Sequence, residues 1–269
     1  MVTQPYISVI IPVYNEKINV KILHEKLVDV LQKLTKKYEI IYVDDGSTDS
    51  TFRVLSSFSH TKVIRFSKNF GQTAALSAGF DEAKGKIIIS MDADMQNDPD
   101  DIPNFLQKIE EGYDIVCGWR SQRHDPLVKK IPSKIANLII SKVSGIGIHD
   151  FGCTLKAYKS EVVKSLNLYG DMHRFIPAVA SSGGWEITEL VIKHHERKFG
   201  KSKYGLSRTT KAILDLITVK FFLSYSSKPM QILGLIGIIL GGIGFFTTLL
   251  LVLERTIYRT PLFNSPFLF

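Results

Sequence analysis

The feature that most limits how this chain can fold is a recurring unit. A short apolar run is followed by a polar loop, and then by a stretch with apolar residues at helical spacing. The runs are Ile7–Val13, Tyr38–Val43, Lys62–Phe66, Ile87–Met91 and Asp114–Gly118. All are of strand length, and the most apolar of them predict strands buried on both faces. Between the first two, Lys17–Lys37 places Val20, Leu23, Leu27, Val30, Leu31 and Leu34 on one helical stripe. Phe52–Phe58, Thr73–Ala83 and Asp100–Glu111 read as further helices, with Ser47 or Asp49 as an N-cap for the first of these. Strands and helices alternating in this way predict an α/β domain built on a mainly parallel sheet covered on both faces. With 269 residues and 45% hydrophobic content, the chain can bury one substantial core.

Ligands of such sheets sit at the carboxyl ends of the strands. The polar clusters of this sequence fall there: Asn15-Glu16, Asp44-Asp45-Gly46-Ser47, and Asp92-Ala93-Asp94. In an extended backbone residues i and i+2 face the same side, so Asp92 and Asp94 are expected to point together, with Gln96 one step further. Two carboxylates that close repel unless a cation lies between them. Oxygen ligands on an open site suit Mg²⁺ or Mn²⁺ shared with a phosphate. A lone D-x-D often does no more than begin a turn; the convergence of several acidic loops on one edge favours the binding site.

The net charge is +8 and the pI about 9.3, which favours anionic partners such as phosphorylated molecules or an acidic membrane surface. No nucleic-acid module stands out, so nucleic acid is not an expected partner. Cys117 and Cys153 have no metal-type spacing and suggest packing roles in a reducing compartment. The N-terminal MVTQPYISVIIPVYNE lacks the basic and apolar regions of a signal peptide, so this part is expected to stay in the cytosol.

Further along, Lys129–Ser144 sets Lys130 and Lys134 among Ile131, Ile135, Leu138, Ile139 and Val143. It is an amphipathic helix that either packs on the core or lies at a membrane surface. Lys211–Phe222 is a second such stretch, expected at the interface. Met230–Leu253 carries no charge and exceeds the roughly 20 residues needed to cross a bilayer. Lys220 and Lys228 before it agree with a cytosolic N-terminal side, while Glu254, Arg255 and Arg259 beyond it weaken that charge argument. Gly234, Gly237, Gly241, Gly242 and Gly244 would allow close helix packing, including self-association into a homo-oligomer. The expected division is a cytosolic catalytic domain over residues 1–210, a juxtamembrane helix over 211–228 and a membrane region over 229–269. The apolar end at Pro266-Phe-Leu-Phe suggests a second spanning helix cut short.

The order IPVYNE (Ile11–Glu16), DDGSTDST (Asp44–Thr51), FSKNFGQTAAL (Phe66–Leu76), MDADMQNDP (Met91–Pro99) and GWRSQR (Gly118–Arg123) resembles the family 2 glycosyltransferases. Within them the chain looks like the polyprenyl-phosphate sugar synthases of the dolichyl-phosphate mannose synthase and bactoprenol glucosyltransferase type. HDFGCTLKAYK (His149–Lys159), HRFIP (His173–Pro177) and HERKFGKSKYG (His195–Gly205) fit the same group. The resemblance covers nearly the whole chain and implies a GT-A type nucleotide-sugar-binding domain. It implies inverting transfer of a sugar from a UDP- or GDP-sugar to undecaprenyl or dolichyl phosphate. The enzyme would be anchored in a plasma-membrane or ER-type membrane, with its catalytic domain facing the cytoplasm.

By the same resemblance, Pro12, Tyr14, Glu16, Asp44 and Asp45 would hold the base and ribose of the donor. Asp92 would meet ribose or metal, and Asp94 and Gln96 would bind the metal, Mg²⁺ or Mn²⁺, that bridges the diphosphate. Arg120, Arg123, Lys134, Arg197 and Lys203 would face the phosphates of donor and acceptor. Asp94, Asp150 and Arg120 are the residues expected at the reacting centre, Asp150 near the acceptor phosphate or the sugar. Many relatives carry G-D-F-R where this chain has Gly152-Cys153-Thr154-Leu155, with the basic residue at Lys156.

Other readings fit less well. Processive polysaccharide synthases share the early motifs but usually carry Q-x-x-R-W and several spanning helices. Nucleotidyltransferases open on a Gly-rich loop with a basic residue, unlike IPVYNE. A non-catalytic, membrane-tethered nucleotide-sugar-binding protein would not need both the D-x-D and the later basic residues.

Overall fold

The computed structural model describes residues 4–121, 137–196 apart from 139, 143, 167 and 169–171, and 229–258. The chain divides into two compact units, Met1–Leu223 and Ser224–Phe269.

In the first unit β1 (Ile7–Val13), β2 (Tyr38–Asp44), β3 (Thr61–Arg65), β4 (Ile87–Ser90), β5 (Ile115–Trp119), β6 (Lys156–Lys159) and β7 (Ile187–Val191) form one seven-stranded sheet. Its order is β3-β2-β1-β4-β6-β5-β7. β1 runs parallel to β2 and β4, β2 to β3, and β5 to β7, while β6 is antiparallel to both β4 and β5. The α/β class and the mainly parallel sheet are therefore as expected. β6 and β7 are additions to the sequence reading: β6 is only four residues long with lysine at both ends, and β7 carries Glu189.

Successive residues of β1 feed opposite faces of the sheet, as the period of two requires. Val9 and Ile11 join the layer that receives Val20, Leu23, Leu27 and Leu31 of α1 (Asn19–Lys33) and Phe105 and Ile109 of α4 (Ile102–Glu110). Ile10 joins the opposite layer with Ala75, Leu76 and Phe80 of α3 (Gln72–Glu82). α1 is shorter than its apolar stripe because the chain takes a left-handed turn at Thr35 (φ 54°). Before α4 a 3-10 turn, Pro99–Asp101, is capped by Asp98, whose side chain accepts from the Asp100 N–H at 3.0 Å. α2 is short, Thr51–Leu55, and its N-cap is Ser50 in place of the expected Ser47 or Asp49, although Asp49 accepts from the Thr51 N–H at 2.9 Å.

The expected side-by-side pleat of Asp92 and Asp94 is not how the acids meet. β4 ends at Ser90, and after Asp92 the backbone bends through Ala93, Asp94 and a left-handed Met95 (φ 64°). A bend rather than a strand end presents both carboxylates.

In the second unit Pro229–Tyr258 is one helix, of which Leu233–Thr256 is long and apolar enough to cross a membrane, with mean hydropathy 2.4. At 1.5 Å per residue those 24 residues span about 36 Å, more than a hydrocarbon core of about 30 Å. Its hydroxyls bond back along the helix, Thr247 to the Ile243 carbonyl at 3.0 Å and Thr248 to that of Gly244 at 2.8 Å. Those two hydroxyls are thus satisfied within the helix.

The turn after β2 depends on Gly46, which sits at φ 69° with the Lys68 carbonyl carbon only 2.4 Å from where a Cβ would stand. Left-handed strain and a clash with backbone then act together. Gly46→Ala is expected to lower unfolding free energy by about 2–4 kcal/mol, measured by denaturant unfolding.

Candidate active site

Because β1, β2 and β4 are parallel, the loops that leave them emerge at one edge of the sheet. β5 delivers Trp119 and Arg120 to the same edge, since β6 between β4 and β5 is antiparallel to both. The segment that enters β6, from His149 to Leu155, lies there too. A shallow depression of about 480 Å³ at the opposite edge, near Lys36, Tyr38 and Lys84, contains none of these acids.

The first loop is tied to the second. The Asn15 N–H donates to Ser47 Oγ at 2.9 Å, and the Glu16 N–H to Thr51 Oγ1 at 3.0 Å. Asn15 Oδ1 accepts from the Thr48 N–H at 2.8 Å. Pro12 and Tyr14 are half-buried beside this junction, and Glu16 is buried with Asn19 Nδ2 donating to it.

The neighbouring acids Asp44 and Asp45 are both buried but have different surroundings. Asp44 Oδ1 accepts from the Ser47 N–H at 3.0 Å, while its Oδ2 has no hydrogen-bond partner among the described residues and Arg65 Nε stands 3.7 Å away. Asp45 receives Phe70 N–H at 2.7 Å, Gly71 N–H at 3.0 Å and Asn69 Nδ2 at 2.9 Å. Burial still holds the Asp45 carboxyl above its ordinary value, the two backbone donors opposing it and Asp44 adding to it.

At the bend after β4, Asp92 accepts from Gln72 Nε2 at 2.7 Å and Asp94 from the Gln96 N–H at 3.1 Å. Burial, then the charge of Asp94, push Asp92 up to about 6; Thr154, Arg120 and Lys156 pull the other way. Among the described residues no three His, Cys, Asp or Glu side chains gather into a closed metal site. A divalent ion at Asp92 and Asp94 would therefore complete its shell with water and phosphate oxygens, which is how Mg²⁺ and Mn²⁺ are held beside diphosphates.

Arg120 and Asp150 form a bidentate pair, Nε to Oδ2 at 2.7 Å and Nη2 to Oδ1 at 3.0 Å. Burial works against the Arg120 cation, but the bonds to Asp150 more than offset it and hold its pKa above the usual guanidinium value. Next to this pair Trp119 stacks on His149, ring centroids 4.3 Å apart, and His149 in turn bonds Glu189.

Several residues that organise the edge carried no role in the sequence reading. Gln72 and Thr73 open α3; Thr73 Oγ1 meets His173 Nδ1 at 2.7 Å, which accounts for the buried histidine of HRFIP. Thr154 accepts from Asn97 Nδ2 at 3.0 Å through its hydroxyl and from Ser90 Oγ at 2.8 Å through its carbonyl. Lys156 is buried, and its ammonium is held by the carbonyls of Phe151 and Cys153. Asp98 binds Lys26 at 2.6 Å and His195 at 2.8 Å. The quoted motifs contained most of these residues, but only the fold reveals which groups they meet. Cys117 and Cys153 are free, buried thiols, pushed up to about 12 and about 11 by burial. Arg123, Lys134, Arg197 and Lys203, and most of the amphipathic stretches around 129–144 and 211–222, lie outside the described residues.

The sequence matches the family model for glycosyl transferase family 2 over residues 8–166. The dodecaprenyl-phosphate galacturonate synthase of Rhizobium johnstonii is 39% identical over 274 residues, spanning 97% of this chain and 80% of that protein. An undecaprenyl-phosphate 4-deoxy-4-formamido-L-arabinose transferase of Yersinia enterocolitica is 37% identical over 257 residues, spanning 94% and 77%. Among solved structures, glucosyl-3-phosphoglycerate synthase from Mycobacterium tuberculosis, in complex with Mn²⁺, UDP and phosphoglyceric acid, superposes with TM-score 0.64 at 16% identity, covering 81% of this chain and 78% of that one. Mannosyl-3-phosphoglycerate synthase from Rubrobacter xylanophilus gives the same TM-score and identity, over 81% and 74%. These neighbours share the GT-A type fold. With a family model matched over more than half the sequence and such relatives along nearly all of it, the chain belongs to glycosyl transferase family 2.

Proposed function

We propose that this glycosyltransferase moves a sugar, with inversion, from a nucleotide-sugar donor to a polyprenyl phosphate at a membrane surface. The observation that carries the reading is the convergence of the β1, β2 and β4 loops on one edge. There a buried Asp44 oxygen lacks a hydrogen-bond partner among the described residues, and Asp92 stands near enough to Asp94 for their charges to interact. The first can accept an N–H or O–H from a nucleoside, and the second pair calls for a cation. The relatives named for dodecaprenyl and undecaprenyl phosphate support the choice of acceptor.

In this reading Pro12, Tyr14, Glu16 and Asp44 cradle the base and ribose. Asp92, Asp94 and Gln96 would hold Mg²⁺ or Mn²⁺, which when bound offsets negative charge building on the departing diphosphate. Arg120 lies close enough to Asp92 for their charges to interact, so it adds a fixed positive charge at the reacting centre. The acceptor phosphate is anionic at neutral pH and needs no strong base to activate it. Asp150 is accordingly given the task of orienting Arg120 rather than taking a proton. Arg123, Lys134, Arg197 and Lys203 supply further cations where two phosphates must approach one another. The helix Pro229–Tyr258 anchors the protein beside its lipid substrate, with the catalytic unit on the cytoplasmic side, and its glycines provide a surface for self-association.

UDP-sugars stand first in the donor panel. Incubation with a radiolabelled nucleotide sugar and a polyprenyl phosphate should move label into organic-extractable lipid, and EDTA should abolish the transfer. Label arriving in long polymer would instead indicate a processive synthase, and no transfer with any donor would indicate a binding protein. Asp150→Asn leaves the buried Arg120 charge poorly matched, so unfolding free energy should fall by about 3 kcal/mol together with a large loss of turnover. Near-normal transfer by a folded Asp150→Asn protein would remove Asp150 from the reacting centre.

A further inference from the structure

The adjacent acids at the end of β2 are alike in sequence but not in their bonding. Asp44 has a carboxylate oxygen with no hydrogen-bond partner among the described residues, whereas both oxygens of Asp45 are engaged. Its donors Asn69, Phe70 and Gly71 are consecutive and lead directly into Gln72, the first residue of α3. A carboxylate offers about four lone-pair sites, and three here are taken by one turn of chain. The next side chain along that turn, Gln72, donates to Asp92 Oδ1 at 2.7 Å. A continuous path of hydrogen bonds and one peptide link thus runs from the β2 loop to the bend after β4.

We propose that Asp45 is a positioning residue rather than a contact to the nucleotide: it fixes the 69–71 turn, the turn places Gln72, and Gln72 orients the Asp92 carboxylate toward a divalent ion. This rests on the reading of nucleotide-sugar transfer above and reassigns the role that the family resemblance implies for Asp45. It also explains why buried acids can stand next to each other in sequence. One is neutralised by backbone and amide donors from its own fold, leaving the other to face a ligand. Gln72 is aimed by two features, the start of a helix and a turn held by a carboxylate. A small shift of that turn would therefore move the Asp92 side chain rather than the nucleoside pocket.

A double-mutant cycle separates the two roles. Asp45→Asn, Gln72→Met and the double variant of the full chain in detergent are compared for Mn²⁺ binding in the presence of UDP, followed by electron paramagnetic resonance. UDP binding without metal is followed by calorimetry, and kcat and donor KM by the transfer assay. Each single change should weaken Mn²⁺ binding roughly tenfold, about 1.4 kcal/mol, and the double should be no worse than the more damaging single, since both act on one path. Metal-free UDP affinity should stay within about twofold for every variant, and the loss in transfer should fall on kcat more than on donor KM. Should Asp45→Asn fail to fold, Asn69→Leu removes one of the donors while keeping the carboxylate and should show the same pattern at smaller size. Additive losses, or weaker metal-free UDP binding in Asp45→Asn, would overturn the assignment and make Asp45 a nucleotide contact. Unchanged Mn²⁺ binding in Gln72→Met would also overturn it. A wild-type chain that binds neither UDP nor Mn²⁺ would sink the transfer reading itself.

Discussion

Crowding of negative charge at one sheet edge is the constraint that the rest of the structure answers. Asp44, Asp45, Asp92, Asp94 and Asp150 are brought there by parallel strands and by the segment entering β6. Like charges in so small a volume would push the loops apart unless the fold met each in its own way. Asp45 is met by backbone N–H groups, Asp150 by a guanidinium fork, and Asp92 by an amide. Buried Lys156 adds a positive charge that needs no carboxylate of its own, being held by carbonyl oxygens. The edge is organised to tolerate several acids side by side.

Much of this was legible in the sequence, because burial on both faces of a parallel sheet writes itself as unbroken apolar runs. The strands from Ile7, Tyr38 and Ile87 follow from such runs, α1 from its 3.6-residue stripe, and the acidic loops from their place at the strand ends. The site was legible as a list of acids and bases, less so as a set of pairings. Arg120 and Asp150 are thirty positions apart, and nothing in local spacing announces that one holds the other. The basic residue noted at Lys156 is buried, because the antiparallel strand that begins with it is slotted between β4 and β5. The pairing of Asp92 with Asp94 was foreseen for the wrong reason, since a bend with a left-handed Met95 does what strand alternation was expected to do.

The two units obey different solvents. The first hides its apolar residues in two layers around a sheet. The helix Pro229–Tyr258 leaves Leu235, Ile238 and Phe245 exposed along its length while satisfying its threonine hydroxyls internally. Water is a poor environment for such a surface and hydrocarbon a good one.

The reversed direction of β6 has one more consequence. β5 leaves the sheet and β6 re-enters it at the same edge, so the intervening stretch from Arg120 to Leu155 begins and ends at neighbouring points. Arg120 and Asp150, thirty positions apart in the chain, are thereby delivered to the one place where they can clasp each other.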